Sequence, residues 1–337
     1  EAKALKILED LIEENIKKEQ QVSAAELAVL ASYKALNEYS FCQLLNFPVE
    51  LKHILQTQIV EPKLEKQLKS KIAVLREISG NVSSKVREQY EQNPYPRWLS
   101  LAVPHISKPI STILKNKKLK ITDLSVNEIK NPKILIAGCG TGQHAIETAT
   151  RFKDCEVLAV DLSLSSLAYA RRKTEELGLT NIEYMQADIL DLGSLNRQFD
   201  IVESAGVLHH MEDPMAGWKV LTDCLKPGGL MKIGLYSELA RKNIVQMRNE
   251  IQELSIDSDD AAMKLFRQHV VNSEKNHHKD IVSNPDFYCL SGLRDLLFHV
   301  QEHRFTITEI KESLAQLDLD FCGFEFRSDK KVDKFKS

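Results

Sequence analysis

Apolar positions along this 337-residue chain change their period partway through. From Leu5 to about Ile78 they recur every three or four residues, in "LKILEDLIEENIKK" and "SAAELAVLASYKALNEY", the spacing of amphipathic helices. An all-helical region over 1–82 is expected, as helix pairs or a small bundle. A remnant of a helical repeat array is the alternative, although no self-similar period stands out. Residues 83–130 form a connector, "SSKVREQYEQNPYPRW" followed by a polar, lysine-rich tract.

After Asn131 short apolar runs alternate with amphipathic segments at βαβ spacing. Strands are predicted at 133–138, 156–161, 182–188, 199–206 and 229–237. Ser163 caps a helix that stops at Gly178, and Asp213 with Pro214 opens another ending near Leu225. Alternation lapses over about 238–300, read as a helical insertion after the fifth strand. A capping box at Thr306 and Glu309 then starts a last helix, and a sixth strand is expected at 319–326. The fold class is α/β, a doubly wound and mostly parallel Rossmann-like sheet over 131–337, preceded by the helical region.

A hydrophobic content of 43% supports a real core, and the formal charge of −3, with lysines interleaved among glutamates, argues against nucleic acid or a membrane surface as partner. The six cysteines never form C-x-x-C, which fits a reducing, cytoplasmic setting. No apolar run reaches membrane-spanning length, no leader is recognisable, and the chain opens on Glu1.

The most informative stretch is "ILIAGCGTGQHAIETA". A buried strand runs into Gly138, Gly140 and Gly142 and then a helix, where a tight turn must let the backbone approach a ligand. A dinucleotide fingerprint counted from Gly138 needs glycine at Gln143, so a smaller nucleoside cofactor is favoured over a nicotinamide. Asp161, ending the next strand, either binds ribose hydroxyls or caps a helix.

"AGCGTGQ", "AVDLS", "QADI", "FDIVESAGVLHHMEDP" and "LKPGG", in that order, resemble the motifs of class I S-adenosylmethionine-dependent methyltransferases over roughly 131–237. The resemblance implies S-adenosylmethionine as cofactor. It implies that Gly138, Cys139, Gly140 and Gly142 approach its methionine part and that Asp161, with Leu162, holds the ribose. It further implies Asp188 and Ile189 at the adenine, and Glu203, Ala205, Gly206 and Val207 along the floor near the sulfonium. "REQYEQNPYPRW" and "SGLRDLLFHVQEHRFTITEI" are similar to stretches in certain bacterial methyltransferases that carry an upstream helical, tetratricopeptide-like region.

Methyl transfer from a sulfonium is an in-line displacement that asks mainly for alignment in a dry site. If the acceptor arrives protonated, His209 or His210 is the candidate base, the other reading for either being packing or cofactor contact. In the connector, Tyr90 and Tyr95 offer ring faces to a cation, with Tyr95 counted among the catalytic candidates, and Arg97 offers a fork for a carboxylate. The plainer reading is a rigid linker anchored by Trp98. Tyr236, Tyr288, Arg294 and His299 are the candidates for the acceptor pocket. His277, His278 and Lys279 lack cysteine or acidic partners at ligand spacing, so they are read as a solvated loop and no metal is expected. The acceptor is expected to be a small molecule, the alternatives being a protein or peptide presented by the helical region, or a non-catalytic cofactor-binding subunit. "RSDKKVDKFKS" shows no alternation for the seventh strand usual in the family.

Overall fold

A computed structural model describes residues 2–104, 106–117 and 119–325. The chain divides into two compact units, residues 1–71 and 72–337. In the first, helices Ala2–Lys17 and Ala24–Tyr33 enclose a small core of Ile12, Leu27, Leu30, Leu36 and Phe41. Ser23 and Glu26 start the second helix with a reciprocal capping box. A wide turn at Gln56–Val60 leads into Glu61–Lys69, whose first turn takes a proline, the position where a missing N–H costs no helical bond. The Gln58 side chain ties that turn to the Leu36 N–H and the Ala31 carbonyl, both at 3.0 Å.

The second unit is built on a six-stranded parallel sheet: β1 (Ala73–Val74), β2 (Lys133–Ala137), β3 (Glu156–Asp161), β4 (Ile182–Gln186), β5 (Phe199–Ala205) and β6 (Leu225–Gly234). Their order is β1-β4-β3-β2-β5-β6. Strands β2, β3 and β5 are buried along most of their length on both faces, which is why they read as continuous apolar runs rather than as alternation. Leu135, Leu158, Val202, Trp218 and Leu221 belong to the main core. β1 has only two residues, too few for a period, and pairs with β4 through Ala73 opposite Met185. The connector is not featureless, since it contains helices Asn81–Gln92 and Ile110–Asn116.

The insertion follows β6 as helices Lys242–Glu253, Asp260–Val271, Asn276–Val282 and Leu290–Leu297, with a core of its own centred on Met247, Met263, Phe266, Phe287 and Leu293. Its two ends are bonded together: the Phe305 N–H donates to the Tyr236 carbonyl (2.8 Å) and the Glu238 N–H to the Phe305 carbonyl (3.1 Å). His277, His278 and Lys279 are therefore not a solvated loop; they lie on a helix, and His278 is fully buried.

Helix Ile307–Gln316 starts with the expected Thr306 and Glu309 capping box. No strand follows over 319–325. Asp318 adopts a left-handed φ of 55°, and among the described residues the segment meets the connector through a single backbone bond, from the Lys120 N–H to the Cys322 carbonyl (2.8 Å), and through side chains, Thr122 on Asp320 (3.0 Å) and Lys117 on Glu325, instead of a ladder. Phe326, the last residue of that expected strand, and "RSDKKVDKFKS" lie outside the described residues.

Because Phe287 is fully buried among neighbours from the insertion itself, Phe287→Ala should cost about 3–5 kcal/mol of that subdomain's stability. Hydrogen exchange should then rise across 242–297 while β2, β3 and β5 stay protected; uniform deprotection would show that the insertion has no separable core.

Candidate functional site

The strand order reverses at β2: the chain runs outward through β3 and β4, then restarts on the other side with β5 and β6. In open parallel sheets the crevice beyond the carboxyl ends at such a point is where ligands bind. The glycine loop leaves β2 there, and 205–210 leave β5 beside it. Gly138, Gly140 and Gly142 have φ of 74°, 51° and 88°, a region side chains resist. Steric demand adds to this, since a Cβ at Gly138 would stand 2.2 Å from Val207 Cγ2 and one at Gly142 2.6 Å from Ala170 Cβ. The loop is thus wedged between the exit of β5 and helix Leu164–Glu176.

Asp161, left open between two readings, already serves the fold. Its carboxylate accepts from the Gly140 N–H (2.8 Å) and the Ser163 N–H (2.9 Å). Burial pushes its carboxyl above the ordinary range, against the pull of those bonds. A carboxylate has about four acceptor positions, so it keeps capacity for hydroxyl donors. Cys139 is buried in the loop, and the Leu162 carbonyl accepts from Gln186 Nε2 (2.8 Å). Asp188 caps the turn after β4 through the Leu190 N–H (3.0 Å), while Ile189 packs into the main core.

Ala205 and Gly206 are exposed at the end of β5, with Val207 behind them against the glycine loop. Glu203 departs from the expectation that it joins this floor. Its carboxylate lies 2.8 Å from His144 Nε2 and accepts from Arg151 Nη2 and Thr148 Oγ1, at 2.7 Å each. All three partners sit on helix Gln143–Arg151, and against the effect of burial His144 and Arg151 hold the carboxyl well below its usual value.

The connector closes on the loop. Glu91, a residue the sequence pattern did not single out, accepts from Ser163 Oγ and the Ser165 N–H, both at 2.9 Å, and so docks its helix on the start of Leu164–Glu176. The Tyr95 carbonyl stands 3.5 Å from where a Gly140 Cβ would be. Thr141 Oγ1 donates to the Pro96 carbonyl (2.5 Å), and Trp98 Nε1 donates to the Thr141 carbonyl (3.1 Å). Trp98 is buried edge-on against Tyr169, whose hydroxyl donates to the Trp98 carbonyl. Arg97 is exposed and its guanidinium lies over the Tyr169 ring, 5.4 Å from the centroid, rather than over the glycine loop.

Beyond the connector a ring of side chains gathers from separate segments. The Tyr236 ring stacks on His209 with centroids 3.7 Å apart, His210 stacks on His299 at 3.5 Å, and Tyr90 lies 5.8 Å from His299. Arg241 covers the other reach of Tyr236 at 3.9 Å and is paired with Glu302. The Tyr90 hydroxyl bonds Asp295, an acid of the insertion, and the negative charge of Asp286, a second acid of the insertion, acts on the Tyr95 phenol. Burial drives both phenols well above their ordinary value. It lowers His209 and His299 to about 2 and His210 to about 4, so these imidazoles are neutral at physiological pH. His210 Nδ1 lies 2.6 Å from the Gln301 carbonyl, which only accepts; the proton is therefore on Nδ1 and the lone pair on Nε2. Both nitrogens of His209 and Nε2 of His299 are buried without a partner among the described residues.

Two expected pocket residues stand apart from this ring. Tyr288 is 58% exposed, and its carbonyl accepts from Arg267 Nη1 (2.8 Å). Arg294 is committed to Asp260, at 2.8 Å, and to the Ser258 carbonyl, so it braces two helices of the insertion. His299, five residues on, turns into the ring.

Residues 134–229 match the family described as "Methyltransferase domain". Among curated proteins, the chain is 30% identical over 211 residues to an uncharacterised protein of Synechococcus, covering 59% of this chain and 50% of that one. It is 31% identical over 124 residues to (S)-coclaurine N-methyltransferase of Papaver somniferum, covering 36% and 35%. With malonyl-[acyl-carrier protein] O-methyltransferase of Enterobacter lignolyticus, identity is 29% over 196 residues, covering 56% and 73%. The chain thus spans half or less of the first two relatives. Of solved structures, PKMT2 from Rickettsia typhi superposes with a TM-score of 0.52 at 18% identity, over 70% of this chain and 49% of that one, a likeness of fold. Matched residues, strand order and glycine loop agree, and residues 134–229 form a methyltransferase domain.

Proposed function

We propose that this chain is an S-adenosylmethionine-dependent methyltransferase whose acceptor is a small polar molecule enclosed between the carboxyl edge of the sheet and the helical insertion. One observation carries the reading: buried imidazole nitrogens without partners converge, on His209 and His299, beside the switch point. Unsatisfied buried polar atoms are costly, and an acceptor bearing hydroxyl or amine groups would satisfy them. The phenol–carboxylate bond from Tyr90 to Asp295 ties the connector to the insertion and favours an enclosed acceptor over a long peptide.

The residues fit the cofactor. Gly140 and Gly206 leave room that a side chain would fill: no atom lies within 4 Å of a Cβ built on Gly206, and Asp161 keeps acceptor capacity for a ribose. Gly138, Gly140, Gly142 and Asp161 would hold it, above Ala205, Gly206 and Val207. S-adenosylmethionine supplies an electrophilic methyl group on a sulfonium. The chain's own contribution is alignment and exclusion of water. His210 Nε2 accepts a hydrogen bond from the acceptor and fixes its direction. With its acidity constant held near 4 by burial, His210 is a weak base, suited to orienting an acceptor more than to stripping a strongly held proton.

Titration calorimetry should show heat with S-adenosylmethionine and none with NAD. Gly206→Ala should weaken that binding at least tenfold while costing only about 1–2 kcal/mol of stability, because the new methyl meets solvent space and not protein. Equal affinity in the variant would remove Gly206 from the floor. With methyl-labelled cofactor and cell extract, label should pass to low-mass compounds; label confined to protein would favour the peptide alternative.

The imidazole ring also sets a pH dependence. In the unfolded chain each histidine returns to about 6.5 and takes up a proton below that value, whereas the folded ring does not. Stability is therefore full above pH 6.5 and falls as pH drops, by up to about 1.4 kcal/mol per pH unit for each of His209, His210 and His299, until the folded values near 2 to 4 are reached. Urea unfolding between pH 7.5 and 5 should show this steep acid limb, and His299→Phe should flatten it. Equal slopes for both proteins would contradict a neutral buried ring.

A further inference from the structure

The insertion holds a second gathering of chemistry-bearing side chains. Glu250, on helix Lys242–Glu253, places Oε2 2.8 Å from His278 Nε2 and 3.3 Å from His277 Nε2. Its Oε1 is 3.6 Å from His269 Nε2 and 3.0 Å from Lys275 Nζ. One donor atom each from Glu250, His269 and His278 lie within 4.8 Å of one another. His269 comes from helix Asp260–Val271 and His278 from Asn276–Val282, so the group joins three helices.

A single lysine and one histidine would satisfy this carboxylate as an ordinary ion-pair cluster. Instead three imidazoles converge on it. The His278 side chain is 0% exposed and turns Nε2, the nitrogen a metal would take, to the carboxylate. Ligands of a tetrahedral zinc ion, each about 2.0–2.1 Å from the metal, stand roughly 3.3 Å apart, and side-chain rotation of about 1 Å closes this cluster to that size.

The geometry points to a divalent transition-metal site of the zinc type in the insertion, with Glu250, His269 and His278 as ligands and His277 bordering the fourth position. Binding replaces hydrogen bonds by metal–ligand bonds: a proton on an imidazole nitrogen facing the carboxylate leaves to solvent, and the Lys275 ammonium releases Glu250. The ion clips three helices together. It also steadies Arg248, one turn-half earlier on the same helix, whose Nη2 donates to the His299 carbonyl (2.8 Å) and so braces the acceptor ring.

The full chain, stripped with a chelator, is titrated with Zn2+ by calorimetry and with Co2+ by visible absorption. The expected result is one ion per chain, intense tetrahedral cobalt bands, and a thermal midpoint raised by about 5 °C at a hundredfold excess over the dissociation constant. His269→Ala should lose at least tenfold in affinity and most of the midpoint shift; its side chain is 56% exposed, so the variant should fold. Lys275→Ala should bind as well as the wild type or better. No zinc uptake by the wild type, or unchanged uptake in both His269→Ala and Glu250→Gln, would overturn the site, the latter by assigning the metal to the free cysteines or other histidines.

Discussion

Left-handed backbone at Gly138, Gly140 and Gly142 is the constraint on which the rest of this unit turns. Two of them let another element come closer than a side chain would allow, Val207 from the exit of β5 at Gly138 and Ala170 from helix Leu164–Glu176 at Gly142, while at Gly140 the left-handed backbone itself is what demands glycine. Removing the Cβ thus does two things at once. It lets the backbone turn so that the Gly140 N–H meets Asp161, and it lets the exit of β5 and helix Leu164–Glu176 close on the loop. The connector is bonded to the glycine loop through Trp98 and Thr141, the insertion is bonded to the connector through Asp295 and Tyr90, and the ring of histidines and tyrosines is made of residues those two segments share with the strand ends.

Electrostatics in this unit are arranged by separation. Charges that stabilise the fold are paired inside it, as with Glu203 among His144, Arg151 and Thr148, or Asp200 between the Lys133 N–H (2.8 Å) and Lys226 Nζ (2.7 Å). The ring of His209, His210 and His299 is kept neutral by burial. The charges at its edge, Arg241 and Glu302, balance each other, and on the function proposed above such a surround suits a displacement in which a cationic donor becomes neutral. Asp295 is turned to the Tyr90 hydroxyl, so this carboxylate joins the insertion to the connector and not to the ring.

Strands β2, β3, β4 and β5 were legible in the sequence because each is a short apolar run bounded by a turn, and the helix starts at Ser163, Asp213 and Thr306 because capping is local chemistry. What escaped was whatever depends on distance along the chain. The two-residue β1 has no period and exists only through its register with β4. Glu91 is one glutamate among several until it meets Ser163 and Ser165 more than seventy residues later. Glu250 reaches His278 only after two helices have folded back, so a search by local ligand spacing had no acidic partner to find. Glu203 misled for a related reason: its place in the strand agreed with the motif, while the direction of its carboxylate was decided by partners on a neighbouring helix. The strand expected after Leu317 rested on alternation alone, and the left-handed turn at Asp318 sends that segment toward Lys120.

The paired ends of the insertion have a consequence for how such a protein diversifies. Tyr236, Glu238 and Phe305 bond to one another, so more than sixty residues leave and re-enter the sheet domain at a single point. The closure cost of a loop grows only slowly with its length, and a cassette anchored in this way can be lengthened, shortened or exchanged without disturbing any strand register. On the function proposed above, cofactor chemistry and acceptor selection would be carried on separately replaceable parts of one chain, joined where Tyr236, Glu238 and Phe305 meet.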